Sequence, residues 1–335
     1  MKKQVVWLLI VCFIFIADSI PGRLRAAPLK KVRASFSTLA YANPPFWIAK
    51  DLGLFEKYGL DVDLNHVGGE KGIPAMVGGS LDVVQIGGIA TVTAAVQGMD
   101  IAILGTFFNR LVFALHASDQ IKGVQELKGK TIATGSIGGN SYFAGLLLLS
   151  HLGWVLNKDV NLLSTGGDPE VLTTLQQGRL QAGVMSPPTT NFAAKSGFRE
   201  IFNIGSLNVP FPTISVVSTR KFIQENPETI LNVLRASSEA TYLYKTRPDL
   251  AFPVIAKYMR VSKTDPELLK SHELYGKYMN ETLTVPLDGI RFVLNHLAER
   301  LNRPDLKSKD PSDFVDSRFI QRLESEGFFK KLSSK

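Results

Sequence analysis

Thr131–Phe143, with the sequence TIATGSIGGNSYF, is an apolar run that breaks into small residues and then restarts as an apolar helix. Thr131–Thr134 predict a buried strand, and the glycines that follow permit a tight turn. Asn140 and Ser141 are predicted to cap the helix. Such a turn leaves backbone N–H groups unpaired where the helix dipole favours an anion or a polar ligand group, which predicts a docking surface. Alternatively, the glycines serve only to let helix and strand approach closely.

Strands and helices alternate on both sides of this stretch. Short apolar runs and amphipathic helical segments succeed each other from residue 32 to residue 204. This alternation predicts an α/β fold with largely parallel sheets and helices on their faces. From Asn226 and Pro227 onward the sequence turns helical, and we expect these C-terminal helices to pack back on the first part of the fold.

Two distant segments repeat one pattern. Ala75–Ile86 reads as a helix, a glycine, a short spacer and a strand, and Leu175–Met185 reads the same way. Each strand is followed at once by a turn of small residues or prolines. A single copy of this pattern would be weak evidence, but two copies about a hundred residues apart predict paired lobes of similar architecture. A length of 335 residues is consistent with two domains.

Composition and charge narrow the class of protein. Hydrophobic residues make up 45% and charged residues 20%, as in packed globular proteins and unlike disordered chains. The net charge is +8, but the basic residues are scattered and form no run interleaved with aromatic residues. We therefore expect no nucleic-acid partner.

Residues 1–26 predict a Sec signal peptide. Lysines open the chain, Val5–Ala17 is an almost unbroken apolar run, and small residues allow cleavage after Ala26. Because Leu24 fits the cleavage site poorly, an uncleaved anchor is the alternative. Either reading predicts a periplasmic or otherwise extracytoplasmic protein.

Several chemistries lack a sequence signature. The single cysteine, Cys12, lies in the apolar run, so a cleaved chain would have no disulfide, thiol nucleophile or thiolate metal site. The five histidines occur singly, without metal-ligand spacing. No GxSxG elbow, P-loop or GxGxxG fingerprint is present. We therefore predict no cofactor, no metal site and no enzymatic activity.

Four stretches resemble the extracytoplasmic solute-binding proteins of ABC importers, in the nitrate, sulfonate, taurine and pyrimidine-precursor (NMT1-like) group. They are Pro45–Val62, Ala75–Gly88, Thr131–Phe143 and Leu175–Pro188. The resemblance implies a bilobed periplasmic-binding-protein fold, with a ligand cleft between two αβ lobes and a helical C-terminal extension on lobe 1.

The resemblance also implies a division of the chain. Lobe 1 is expected to comprise residues 28–112 and 219–335, and lobe 2 residues 113–218 including the crossing segments. Hinges are expected near Phe108–Phe113 and Pro212–Ser218.

By resemblance, backbone N–H groups hold a polar group of the ligand in the cleft, and Tyr41 or Trp47 faces its apolar body. For Trp47, packing in the core is the alternative, and Arg110 either clamps a carboxylate or lies in solvent at the hinge. Gly87-Gly88 replaces residues that are often serine or threonine in the group, which disfavours a small inorganic anion. The implied contacts are Thr38, Tyr41, Asn43, Gly87, Gly88, Ile89, Ser136, Gly138, Gly139, Asn140, Ser141, Pro187 and Thr213.

The resulting hypothesis is a monomeric receptor that captures a small anionic or partly apolar organic solute and delivers it to an ABC permease in the inner membrane. One alternative is an enzyme on the same bilobed fold, similar to the pyrimidine synthase or the menaquinone-pathway dehydratases. The cysteine-rich motif of the pyrimidine-synthesising relatives is absent. Another alternative is an exported ligand sensor.

Overall fold

A computed structural model describes residues 28–334, apart from the side chain of Glu70. The predicted signal peptide, residues 1–26, and Cys12 lie outside the described residues. The strands are β1 (Lys30–Phe36), β2 (Leu60–His66), β3 (Val83–Ile86), β4 (Ile101–Arg110), β5 (Ala114–Ala117), β6 (Thr131–Thr134), β7 (Asn161–Ser164), β8 (Ala182–Met185), β9 (Arg199–Asn203) and β10 (Pro210–Thr219).

Helices follow most of these strands, as the alternating sequence predicts. The α-helices are α1 (Pro44–Asp51), α2 (Leu54–Lys57), α3 (Gly72–Val77), α4 (Gly88–Val96), α5 (Asn140–Leu152), α6 (Asp168–Gln176), α7 (Thr189–Lys195), α8 (Arg220–Glu225), α9 (Pro227–Thr246), α10 (Pro248–Met259), α11 (Pro266–Tyr278), α12 (Leu287–Arg300), α13 (Arg318–Ser325) and α14 (Phe328–Ser333). Short 3-10 helices lie at Gly69–Lys71, Val124–Leu127, Ile204–Leu207, Pro304–Ser308 and Pro311–Phe314.

The strands form two five-stranded sheets, ordered β2-β1-β3-β10-β4 and β7-β6-β8-β5-β9. The bilobed α/β prediction is therefore confirmed. The prediction of largely parallel sheets is wrong, because each sheet is mixed. In the first sheet β10 runs antiparallel to both of its neighbours, and in the second β5 runs antiparallel to β8 and β9. Both strands follow a crossing between the sheets, which reverses their direction.

The two crossings are short. One joins the end of β4 at Arg110 to the start of β5 at Ala114, and the other leads from Leu207 into β10 at Pro210. The predicted hinge at Pro212–Ser218 is wrong in position, since Ser215–Val217 pair with β3 inside the first sheet. Strand β10 thus belongs to the sheet of lobe 1, and the division of the other residues between the lobes stays a prediction.

The C-terminal helices pack on the first lobe, as expected. Helices α9 and α10 lie against α1, and α12 lies against β10. However, α11 and α12 also contact the second lobe. On α12, His296 lies 5.2 Å from the Phe143 ring of α5, and Phe143 also contacts Phe211 at the start of β10. The lobes therefore share an apolar cluster beside the crossings.

No helix among residues 28–334 is both long and apolar enough to span a membrane.

Candidate functional site

A cavity of about 790 Å³ lies between the two sheets and is lined by both lobes. Its walls include residues that directly follow β1, β3, β6 and β8, and Gly166, two residues after the end of β7. Loops at the carboxyl ends of strands in αβ sheets commonly form ligand sites. The volume is in the range of cavities that enclose small organic molecules.

Most residues of the predicted site line this cavity. Three described residues from that prediction, Tyr41, Gly88 and Trp47, are not in the lining. The predicted residues in the lining are Thr38, Asn43, Gly87, Ile89, Arg110, Ser136, Gly138, Gly139, Asn140, Ser141, Pro187 and Thr213. Their contacts with a ligand stay a prediction.

The loop of residues 135–139, here called the focal loop, joins β6 to α5 and forms one wall of the cavity. Gly138 adopts a φ of 87°, which an L-residue rarely adopts, so glycine is required for this turn. A Cβ at Gly135 would lie 3.2 Å from Cβ of Ser141, so at this position the close-packing interpretation applies. All three glycines, Gly135, Gly138 and Gly139, line the cavity.

The predicted capping by Asn140 and Ser141 is wrong. Gly139 occupies the N-cap position, and neither side chain caps α5. Asn140 Nδ2 instead donates to the carbonyl of Thr213 on β10 at 3.3 Å. Ser141 Oγ accepts from the N–H of Gly135 at 3.0 Å and donates to the carbonyl of Val184 at 2.8 Å. Both side chains fix the position of the loop, because their partners lie on other elements.

Backbone donors of this loop remain available to a ligand. The N–H groups of Ser136, Ile137 and Gly138 donate to no residue within 28–334. The first-turn N–H groups of α5 have no partner within their helix, as in any α-helix, and add its positive dipole end. The loop can therefore hold an anionic or acceptor group of a ligand.

On the first-lobe wall, several polar side chains are paired with neighbouring groups, although Gln85 Oε1 has no partner within residues 28–334. Asn43 Nδ2 donates to the carbonyl of Thr38 at 2.7 Å, and Gln85 Nε2 donates to the carbonyl of Asn43 at 3.1 Å. Gly87 lines the cavity, whereas a Cβ at Gly88 would lie 2.4 Å from the carbonyl oxygen of Pro212. Gly88 is therefore required for close packing of α4 on β10.

The aromatic residues predicted for the first lobe lie in its core. Trp47 is fully buried and stacks on Tyr258, with ring centroids 4.8 Å apart. It also meets the ring of Phe36 edge-on. Tyr41 is 4% exposed and belongs to the same hydrophobic cluster. Trp47 therefore packs in the core, as the alternative interpretation of the sequence predicted, and neither ring lines the cavity.

Arg110 lines the cavity at the end of β4, but its guanidinium is engaged elsewhere. Nη1 donates to Oδ1 of Asn208, and the guanidinium carbon lies 5.3 Å from the centre of the Tyr278 ring. Its carbonyl oxygen accepts a hydrogen bond from the hydroxyl of Thr213 at 2.8 Å. These contacts join the two crossings, and a clamping role for Arg110 stays a prediction.

The sequence prediction missed an acidic residue in the lining. Asp168 opens α6, and its Oδ2 accepts from the N–H of Ser186 at 2.8 Å and from Ser186 Oγ at 2.5 Å. Loss of solvent around the carboxyl raises the pKa of Asp168 to about 6, although both Ser186 contacts favour the charged form. The only available sequence signal was Gly167-Asp168-Pro169, which resembles an ordinary helix start.

It also missed the apolar residues and a tyrosine that complete the cavity. Tyr275 on α11 donates from Oη to the carbonyl of Pro187 at 2.7 Å. Burial, together with the charge of Asp168, raises the pKa of Tyr275, which keeps the phenol protonated as a donor. The larger apolar lining residues are Leu39, Phe108, Phe113, Leu172, Phe192, Ile214 and Met259.

A second set of contacts bridges α11 and α7. Glu267 accepts from Lys195 Nζ at 2.6 Å and from Asn191 Nδ2 at 2.7 Å. Although burial alone would raise it, these two hydrogen bonds hold the pKa of Glu267 below its ordinary value. Together with Tyr275, this pair connects the C-terminal helices to the second lobe across the cavity.

The fold therefore consists of two αβ lobes with a cavity between them, and hydrogen bonds such as that of Tyr275 to Pro187 connect the lobes beside this cavity. The sequence profile of the NMT1/THI5-like family matches residues 43–251, more than half of the chain, and the chain belongs to this family.

Individual relatives are distant in sequence. YtlA of Bacillus subtilis strain 168 is 22% identical over 308 residues, which cover 82% of this chain and 90% of that protein. The periplasmic aliphatic sulphonate binding protein SsuA from Escherichia coli is 19% identical, with a TM-score of 0.70 over 88% of this chain and 100% of that one. A ligand-binding component of an ABC-type import system from Staphylococcus aureus is 9% identical, with a TM-score of 0.69 over 87% and 98% of the two chains. At these identities the solved structures show the periplasmic-binding-protein fold alone.

Proposed function

We propose that this protein is the extracytoplasmic solute-binding receptor of an ABC importer and that it binds a partly apolar organic solute between its lobes. The observation that carries the proposal is the cavity of about 790 Å³, lined by both lobes and bridged on the α11 side by hydrogen bonds to Pro187 and Glu267. A ligand in this position contacts both lobes at once. It therefore stabilises the closed arrangement that a permease can distinguish from an open one.

The composition of the cavity supports an organic solute over a small inorganic anion. The space is far larger than an oxyanion fills, and aromatic and aliphatic residues form much of its wall. The free N–H groups of Ser136 and Gly138, which line the cavity, supply one place for an anionic or acceptor group. The remainder of the ligand would lie against side chains such as Phe113 and Leu172.

The relatives support transport as the purpose of binding. One structural neighbour is a periplasmic sulphonate-binding protein and another belongs to an ABC-type import system. The predicted signal peptide supports a location in the compartment where such receptors act. We expect it to deliver its solute unchanged to a permease in the inner membrane.

Native mass spectrometry of the protein, purified from its source without refolding, tests the proposal. We expect a retained small organic molecule at one per chain, recovered with unchanged mass after incubation. Added back in a hundredfold excess over its Kd, it should stabilise the apoprotein by about 2.7 kcal/mol. Conversion of the molecule during incubation would contradict the receptor function and favour an enzyme.

Gly139→Leu provides the matched control, since it alters the focal loop without a strained φ at that position. If this variant retains the molecule as well as the wild type does, the molecule is bound outside the cavity.

A further inference from the structure

Only two residues of the cavity lining carry a formal charge, Asp168 and Arg110, among the described residues. The guanidinium of Arg110 is engaged by Asn208 and Tyr278 at the crossings. Asp168 is therefore the charged side chain of the lining that could still bind a ligand. A carboxylate in an otherwise largely apolar lining is costly unless it has partners.

The two carboxylate oxygens of Asp168 differ in their contacts. Oδ2 receives both hydrogen bonds from Ser186, which orient the carboxylate. Oδ1 accepts no hydrogen bond from any residue within 28–334. Since a carboxylate oxygen has two lone pairs, Oδ1 retains its full accepting capacity for a donor that enters the cavity.

A purely structural role does not account for this arrangement. The N-cap position of α6 belongs to Gly167, whose N–H donates to Glu170 Oε2 at 2.9 Å. Glu170 therefore performs the capping, and Asp168 is not needed for it. The contacts with Ser186 explain Oδ2 alone, and an Asn at this position would preserve an acceptor for the Ser186 N–H without the desolvated charge.

We infer that Asp168 is a specificity-determining residue whose Oδ1 binds a protonated amine or a similar N–H donor carried by the apolar body of the solute. The inference rests on the proposed function, because it concerns the same cavity. The neighbouring walls fit such a molecule. Leu172 lies one turn further along α6, and Phe113 and Phe192 provide aromatic surface within the same lining. Ser186 holds the acceptor in one orientation, so the donor is selected by position as well as by charge.

Isosteric probe pairs test the inference. The pairs are 4-(aminomethyl)benzoate with 4-ethylbenzoate, and 6-aminohexanoate with heptanoate, in which an ammonium group replaces a methyl group. Isothermal titration of the full-length mature protein near neutral pH measures the affinity for each member. We expect the amine member to bind about tenfold more tightly or better in at least one pair, and we expect Asp168→Asn to remove that preference.

Glu170→Gln is the matched control, since it alters a carboxylate two residues away on the same helix that lies outside the lining. It should keep the preference for the amine. Equal or tighter binding of the methyl members to the wild type would overturn the inference and leave the proposed function standing. Failure of all four probes to bind would count against the proposed organic solute class and the inference together. The wild-type comparison decides the outcome even if Asp168→Asn does not fold.

Discussion

The polar side chains of the two lobes differ in what they offer to the cavity. On the first-lobe wall several side chains pair with each other: Asn43 bonds Thr38 and Gln85, and the Thr213 hydroxyl bonds the Arg110 carbonyl. Gln85 Oε1 and the N–H groups of Thr38 and Leu39 have no partner within residues 28–334. On the second-lobe wall, the N–H groups of the focal loop and one oxygen of Asp168 have no partner within residues 28–334.

This difference indicates that the two lobes have different roles in ligand binding. The paired side chains make the first-lobe wall a rigid support. On the second lobe, the exposed N–H groups and the free carboxylate oxygen bond water until a ligand replaces that water. Selectivity for the solute should therefore reside mainly in the second lobe. Substitutions on the two walls test this difference between the lobes.

The largest effect is expected from the focal loop. Gly139 lines the cavity at a φ of −84°, which any residue can adopt, and a Cβ there would lie 3.1 Å from the Ser136 carbonyl. Gly139→Leu should lower the affinity for the retained solute by about a hundredfold, or about 2.7 kcal/mol, because the side chain competes with the ligand. Isothermal titration measures the affinity, and circular dichroism checks the fold.

The matched first-lobe variant is Gly87→Ala. Its Cβ would meet the Thr213 carbonyl at 3.6 Å, an ordinary contact. We expect a smaller loss of affinity than at Gly139. A larger loss at Gly87 would reverse the assignment of selectivity to the second lobe.

A second prediction concerns the stability cost of Asp168. Its pKa of about 6 lies above the ordinary value of 3.8, so the folded state binds more protons than the unfolded state between these values. The contribution of Asp168 to stability should therefore fall as the pH rises from about 4 to about 6. Asp168→Asn removes this contribution and should stabilise the apoprotein at neutral pH by about 2 kcal/mol relative to the wild type. Urea unfolding of both proteins on either side of this pH window measures the difference.

The groups that act on Asp168 define the control. Ser186 favours the charged form through two hydrogen bonds, and Glu170 disfavours it. The phenol of Tyr275 stays neutral across the window, because the Asp168 charge and burial both raise its pKa. Because the charge of Glu170 is the smallest of these effects on the pKa of Asp168, Glu170→Gln should keep most of the pH dependence. If the stability difference between the wild type and Asp168→Asn did not change across the window, the carboxylate would not be desolvated in the folded state.

Sequence reasoning found the parts of the site that local signals specify. The focal loop follows a strand and precedes a helix, and its glycines indicate a turn. Ser136, Gly138 and Gly139 could therefore be assigned to a strand-to-helix turn from the sequence alone. The element order was predictable for the same reason. Strand direction was not, because β10 and β5 acquire their orientation from the crossings between sheets.

The remaining site residues depend on contacts that are remote in sequence. Asn140 bonds a carbonyl 73 residues away and Tyr275 one 88 residues away. Asp168 precedes a proline at a helix start, and only its position beside Ser186 reveals the desolvated carboxyl. Conversely, Trp47 has the residue type of a ligand contact but packs on Tyr258, since α10 covers that face of α1.

A smaller effect is expected at the bridge between α11 and α7. Glu267→Gln removes the ion pair with Lys195, whose side chain is largely exposed, so the loss should be on the order of 1 kcal/mol. Dissociation of the retained solute should accelerate about fivefold, because the closed arrangement loses one of its contacts. Stopped-flow displacement measures the rate. Glu273→Gln, exposed on the same helix, is the control and should leave the rate unchanged.

The pH dependence of this bridge has the opposite sign to that of Asp168. Because the folded pKa of Glu267 is lowered, its contribution is present above the ordinary pKa and is lost as the pH falls through the folded value. Dissociation should therefore be accelerated in acid in the wild type and much less in Glu267→Gln. Equal acid sensitivity of the two proteins would assign the effect to other groups.

The smallest effect is expected at Tyr41, which tests where the first-lobe wall ends. Its ring lies in the core at 4% exposure and is not part of the lining, so Tyr41→Phe should change the affinity by less than about twofold. Tyr275→Phe is the instructive counterpart, because it removes the hydrogen bond to Pro187 across the cavity and should weaken binding measurably. If Tyr41→Phe weakened binding as much as Tyr275→Phe, the first lobe would reach the ligand through a residue that now lies in its core. The rigid-support interpretation of that lobe would then have to be abandoned.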